Sequence, residues 1–222
     1  MPLAVPHSRF HSLRVWTCLC ALAAAAPVHA QTRVLLSFPD AHDVPGAIQK
    51  TAINETARIW AAYGITIDEG SIGSCDPSST LAIPILVNHG FVEGADGLGA
   101  VHFGRNGAPD QAITVYYDAI VHLATSMPVG GLHPSLWPQA LQDEVVARAL
   151  GRALAHEIGH VLLRWPHHPA EGLMRAVYVA SSLSSPERLG FGLTDVDVAR
   201  LHIVLAASLP SHIFPNLAHA HC

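Results

Sequence analysis

His156, Glu157, Ile158, Gly159 and His160 stand in a row, and no other stretch restricts the fold of this chain so tightly. On an α-helix a four-residue step returns almost to the same face, so both imidazoles can reach one metal ion if the segment is helical. Glu157 then projects beside that face, close enough to handle a water on the metal but not aimed as a third ligand. This is the arrangement of zinc hydrolases. The chain holds 16 histidines, so chance pairs are expected, but His, Glu and His at three fixed positions is a stricter requirement. The surroundings predict a helix. Residues 141–155 are rich in Ala, Leu and Arg, and Asp143 and Glu144 sit near the start, where the helix dipole favours negative charge. Val145, Ala149, Ala153 and His156 fall on one side, and Val146, Leu150, Leu154, Ile158, Val161 and Leu162 supply a core face.

The rest of the chain is read around that helix. Arg9 and Arg14 precede an apolar, alanine-rich run from Val15 to Val28, and Val28 and Ala30 are small residues where a signal peptidase reads. The expectation is a signal peptide over 1–30, cleaved after Ala30, and one catalytic domain over 31–222, secreted or periplasmic. The apolar run is short for a membrane span, so no stable anchor is expected. Losing Arg9 and Arg14 makes a formal charge of −5 more negative, and no basic stripe is present, which argues against a nucleic-acid partner. Cys75 and Cys222 remain after cleavage; one disulfide or two free thiols both fit.

Strands are expected at 33–38, 65–68, 81–87, 97–103 and 112–117, the last two joined by a turn at 104–107. A helix is expected over 46–63, with Pro45 at its start and Gly64 as its stop. A short helix at 118–124 and a Pro/Gly-rich connector at 126–138 come before the metal helix. A final helix begins at Thr194, which caps it, and runs to about Ser208. These elements predict an α+β fold, with a mixed twisted sheet packed on two long helices, the zinc site on the second and the C-terminal helix behind it. His212, His219 and His221 fall in a weakly patterned tail and read as solvated.

Zinc needs a third protein ligand and one position left open. His167 and His168 follow the helix. Neighbours in an extended segment point opposite ways, so one of the two faces the metal; His168 is favoured and His167 is the alternative. Glu171 is a rival ligand. Together with Gly172, Leu173 and Met174, this region resembles the metzincin metalloproteases, and within them the matrixin-like branch, in which a third histidine follows the helix and a methionine turn lies beneath the metal. Met174 falls at the matrixin offset from His160. The segment 191–205 is similar to the family's closing helix. Two departures stand out. Leu163 and Pro166 occupy the family's glycine and third-histidine positions, and the two histidines come one and two places late. The helix is therefore expected to run on and to break at Trp165 and Pro166. Glu171 lacks the separate later helix from which gluzincins draw a carboxylate ligand.

The resemblance implies peptide hydrolysis by a monomer acting on protein or peptide substrates. One catalytic zinc sits on His156, His160 and His168, Glu157 is the general base and Met174 packs beneath the ligands. It also implies an edge strand that binds substrate backbone, for which residues 99–103 are the counterpart. Tyr178 reads either as an oxyanion donor or as a packed tyrosine. Matrixins often hold structural zinc or calcium, but His89, His102, His133, Asp96 and Asp110 show no clear ligand spacing. Two other readings compete: a non-catalytic binding protein on the same fold, which would have no need of Glu157, and a zinc hydrolase acting on cell-wall or other non-protein material.

Overall fold

Alternation of apolar side chains along the strands decides which face of the sheet is covered. The structure is a computed structural model that describes residues 32–70, 80–90 and 97–207. The expected signal peptide, Cys75, Asp96, Cys222 and the tail histidines lie outside the described residues. Five strands, β1 (Arg33–Ser37), β2 (Thr66–Glu69), β3 (Thr80–Asn88), β4 (Gly99–Ala100) and β5 (Ile113–Tyr116), form a sheet in the order β2-β1-β3-β5-β4. All pairings are parallel except β4 with β5. Register places Leu36 beside Ile83, Val34 beside Ile67, and Ile85 beside Ile113. These residues and Val115 are buried, whereas Leu86 on the alternate face is exposed. Pro84 lacks an N–H to give to a ladder. It falls where β3 ends its pairing with β1 and begins its pairing with β5.

Helices α1 (Gly46–Trp60) and α3 (Gln139–Leu163) pack together and against the sheet; α2 (Tyr117–Ala124), α4 (Ala180–Ser184) and α5 (Asp195–Ala207) complete the fold. The expected layout of a mixed sheet on two long helices is present. α1 passes into a 3₁₀ turn at Ala61–Tyr63 before Gly64, at φ 72°, stops it, so the helix is shorter than the expected 46–63. α5 starts as the sequence implies. Thr194 Oγ1 accepts from the Asp197 amide, and the Asp197 carboxylate accepts from both the Thr194 amide and its hydroxyl.

Two expectations fail locally, and one element appears that no expectation covered. The strand at 97–103 shrinks to Gly99–Ala100, because beyond it the chain turns into a separate bridge between Phe103 and Pro109. α4 was not foreseen. The metal helix ends at Leu163, with Arg164 in the left-handed region at φ 49°, and not at Trp165 and Pro166. The reason is a tertiary cap. Arg200 of α5 donates to the Leu163 carbonyl at 2.7 Å and the Arg164 carbonyl at 3.0 Å, satisfying groups that a helix end leaves open.

α1 and α3 approach so closely that a Cβ on Gly151 would lie 2.5 Å from the Ala52 carbonyl oxygen. Thr56 and Trp60 use that proximity to donate to the Gly151 and Ala155 carbonyls at 2.8 and 3.1 Å. Beside this seam Arg152 of α3 is fully buried. Its Nε donates to Glu55 at 3.2 Å, and its two terminal nitrogens donate to the Ser182, Leu183 and Glu187 carbonyls. Arg188 holds the other Glu55 oxygen at 2.6 Å. Burial pulls the Arg152 guanidinium down to about 10, against the raising effect of Glu55, so it stays charged at neutral pH. Removing one partner of a buried pair strands the other charge. Glu55→Ala is therefore expected to lose about 3–5 kcal/mol in urea unfolding. A loss below about 1 kcal/mol, the range of exposed pairs, would show that Arg152 finds water instead.

Candidate metal centre

The site is built on the last two turns of α3, where burial is continuous from Val145 to Val146 and onward through Leu163 except at Arg148. His156 and His160 project from one face there, as a four-residue helical step requires. His156 Nδ1 faces the Leu173 carbonyl oxygen at 2.8 Å, and His160 Nδ1 faces the Trp165 carbonyl oxygen at 2.6 Å. Carbonyls only accept, so both Nδ1 atoms must carry the proton and both Nε2 atoms must carry lone pairs. Those Nε2 atoms lie 3.1 Å apart, and His168 Nε2 lies 3.1 Å from that of His160. Two lone pairs facing at that distance repel unless a cation lies between them. Tetrahedral zinc, with Zn–N of about 2.0–2.1 Å, sets its nitrogens about 3.3–3.4 Å apart. The donor set therefore fits zinc.

Among the described residues, His156, His160 and His168 form the one group of three or more potential ligands, with ligand atoms within 4.8 Å of one another. His168 is the histidine brought to the pair. His167 is exposed beside Trp165, ring centroids 5.2 Å apart, and Glu171 is exposed outside the group. His89 instead pairs with Asp118 at 3.1 Å and His133 with Ser135 at 2.8 Å; His102 and Asp110 are exposed.

Burial is the largest influence on all three imidazoles and lowers their pKa values. His156 falls to about 3, with the neighbouring His160 adding to the effect and the bond to Leu173 opposing it. Neutral imidazole is the form that binds metal. Glu157 leaves the helix beside the ligands and is 5% exposed. Burial pushes its carboxyl up to about 8. It packs against β4 so tightly that a Cβ on Gly99 would lie 2.8 Å from Glu157 Cγ.

Met174 is buried against Gly159 of α3, after Gly172 at φ 80°. A Cβ on Gly159 would overlap Met174 Sδ, so the glycine inside the motif is the space that the methionine fills. The sequence held a signal for this, since glycine in a buried helix interior is costly and wants a packing reason. It held none for the carbonyls of Trp165 and Leu173, for Gly99, or for Arg200, whose guanidinium lies 4.6 Å over the Trp165 ring. Tyr178 sits behind His156 and donates to the Leu173 carbonyl, the arrangement expected of a packed tyrosine.

No family model matches this chain, and no curated protein matches it. Among solved structures, an archaemetzincin from Methanopyrus kandleri is similar, with a TM-score of 0.50 and 12% sequence identity over 81% of this chain and 98% of that one. At that identity the likeness speaks for the fold alone, which is similar to that of the archaemetzincin.

Two outcomes follow from this geometry. Gly159→Ala is expected to cost at least about 1–3 kcal/mol by overpacking, read as a lower melting temperature together with weaker zinc retention. Unchanged melting would mean that Met174 does not fill this gap. The second concerns pH in metal-free protein. The folded state keeps the Glu157 proton up to about 8, whereas an unfolded glutamate loses it near 4.5. Stability from this group is thus present below about 4.5 and lost as pH rises through about 8. Glu157→Gln should remove that slope, so with chelator present the variant gains on the parent between pH 5 and pH 8 in urea unfolding. A gap independent of pH would show that Glu157 ionises normally in the fold.

Proposed function

We propose that this chain is a zinc-dependent endopeptidase of the matrixin-like metzincin branch. The observation that carries the reading is the convergence of three imidazole Nε2 atoms beside a buried carboxyl group on the same helix. The likeness of the fold to an archaemetzincin and the packing of Met174 against Gly159, inside the motif, support it.

His156, His160 and His168 would hold the ion. Zinc bound there supplies a Lewis acid that polarises the scissile carbonyl and makes water a better nucleophile. Glu157 acts as the base. Its carboxylate takes a proton from the attacking water as the new C–O bond forms, and passes it to the amide nitrogen as the C–N bond breaks. Burial keeps this carboxyl protonated up to about 8 in the metal-free fold, and the charge of a bound cation beside it would favour the carboxylate that the base step requires. The substrate backbone adds to the sheet at β4, which pairs on one side with β5 and places Gly99 against Glu157. An extended peptide on that edge would bring its scissile bond over the ligands. The enzyme is further proposed to be exported by residues 1–30 and to act outside the cytoplasm as a monomer of residues 31–222.

The test uses purified protein, with zinc measured by mass spectrometry and casein cleavage compared in the parent and Glu157→Ala. Stoichiometric zinc in both, with cleavage falling by about 10²–10⁴ in the variant, is the expected result. Stoichiometric zinc without Glu157-dependent cleavage would sink the peptidase reading and leave a binding protein or a hydrolase of non-protein material.

A further inference from the structure

Tyr178 has no part in the hydrolytic scheme, yet it is held with unusual care. Its hydroxyl donates to the Leu173 carbonyl, the same oxygen that accepts from His156 Nδ1, and lies 3.3 Å from that nitrogen. His156 N–H can thus share its proton between the carbonyl and the phenol oxygen, while the phenol proton goes to the carbonyl. Burial raises the phenol pKa, so the hydroxyl remains a donor.

The ring is fixed as firmly as the hydroxyl. Tyr178 stacks on Phe191 with centroids 5.3 Å apart and planes 2° from parallel. The Arg175 guanidinium lies 4.5 Å over Tyr178, and that of Arg152 lies 4.4 Å over Phe191. Arg152 is itself on α3, one turn before His156, and is anchored by Glu55. Leu173, by contrast, belongs to a loop; its amide is tied to Gly192 at 2.6 Å, but its carbonyl has no helix or strand to orient it.

We infer that Tyr178 is a positioning residue for the metal centre: its hydroxyl pins the Leu173 carbonyl and thereby fixes the tautomer and the angle of His156. The inference rests on the zinc reading of the three histidines and concerns metal affinity, not peptide cleavage. A carbonyl with one donor can swing and take the imidazole with it; a carbonyl with two converging donors cannot. Partners one step behind a ligand typically alter metal affinity by about 10–100-fold when removed.

The test is Tyr178→Phe in the full chain, which keeps the aromatic stack and deletes only the hydroxyl. Zinc affinity is measured by chelator competition, the visible absorption of the cobalt(II)-substituted protein reports ligand geometry, and melting of the metal-free protein reports the fold. The expected result is zinc binding about 10–100-fold weaker and a shifted cobalt band, with metal-free melting close to that of the parent. Zinc affinity and a cobalt spectrum equal to the parent's would overturn the inference. Phe191→Leu keeps the hydroxyl and removes the stack, so it should lower melting more than Tyr178→Phe does while weakening zinc less; the reverse order would also overturn it. If Tyr178→Phe does not fold, proton NMR of the zinc-loaded parent decides: a through-space signal between the His156 Nδ1 proton and the Tyr178 hydroxyl proton is expected, and its absence overturns the assignment. A parent that binds zinc but cleaves nothing counts against the peptidase reading alone.

Discussion

Three imidazole nitrogens with lone pairs facing inward, two of their separations only 3.1 Å, are the arrangement on which the rest of this structure depends. Unfilled, it is repulsive. It therefore has to be imposed from behind the rings, and both helix-borne histidines donate a hydrogen bond to a backbone carbonyl there, His156 to Leu173 and His160 to Trp165. Each of these two residues is braced in turn by a side chain from elsewhere. The Tyr178 hydroxyl meets Leu173, and Arg200 of α5 covers the Trp165 ring while closing the end of α3. The final helix thus acts on the site through one arginine without touching a ligand.

Close approach is the second theme. Gly151, Gly159 and Gly99 each stand where a Cβ would collide, with α1 backbone, with Met174 and with Glu157. These contacts put the two long helices, the methionine turn and the edge strand at the distances the site needs. The buried Glu55–Arg152 pair, with the exposed Arg188 on the other Glu55 oxygen, ties α1 and α3 to the chain beyond α4 in the same region. Replacing such a pair by apolar residues can be neutral for stability. Its geometric consequence here is specific, because Arg152 also backs the Phe191 and Tyr178 stack.

What was legible in the sequence is what is local or periodic. The long helix α3, its two facing histidines and adjacent carboxylate, the Thr194 cap and the buried alternation of β3 and β5 all lie within a few residues of their own signals. Alternation in an extended segment implied that only one of His167 and His168 faces the pair, and it is His168 that lies there. The parts that were misread have distant causes. The helix end depends on Arg200, far along the chain, so the proline at 166 marked the stop two residues late. α4 spans five residues, too few to show a period, and its carbonyls are taken by Arg148 and Arg152 of α3. The strand at 97–103 looked continuous because its composition is, whereas only Gly99 and Ala100 find a partner in β5.

Trp165, His168, Leu173, Met174 and Tyr178 all lie in one stretch of chain, between the end of α3 and the start of α4, that has no regular secondary structure of its own. Backbone of that kind ordinarily opens at small free-energy cost and is where proteases cut first. Under the zinc reading proposed above, the ion and its supporting bonds would take the place of a helix or sheet ladder. Ligand that binds only the closed form stabilises it by an amount that grows with the logarithm of its free concentration. Metal supply and survival of this segment would then be one equilibrium: with zinc scarce, the loop that completes the site would be the chain's exposed flank, and resistance to digestion would be set by the surroundings as much as by the fold.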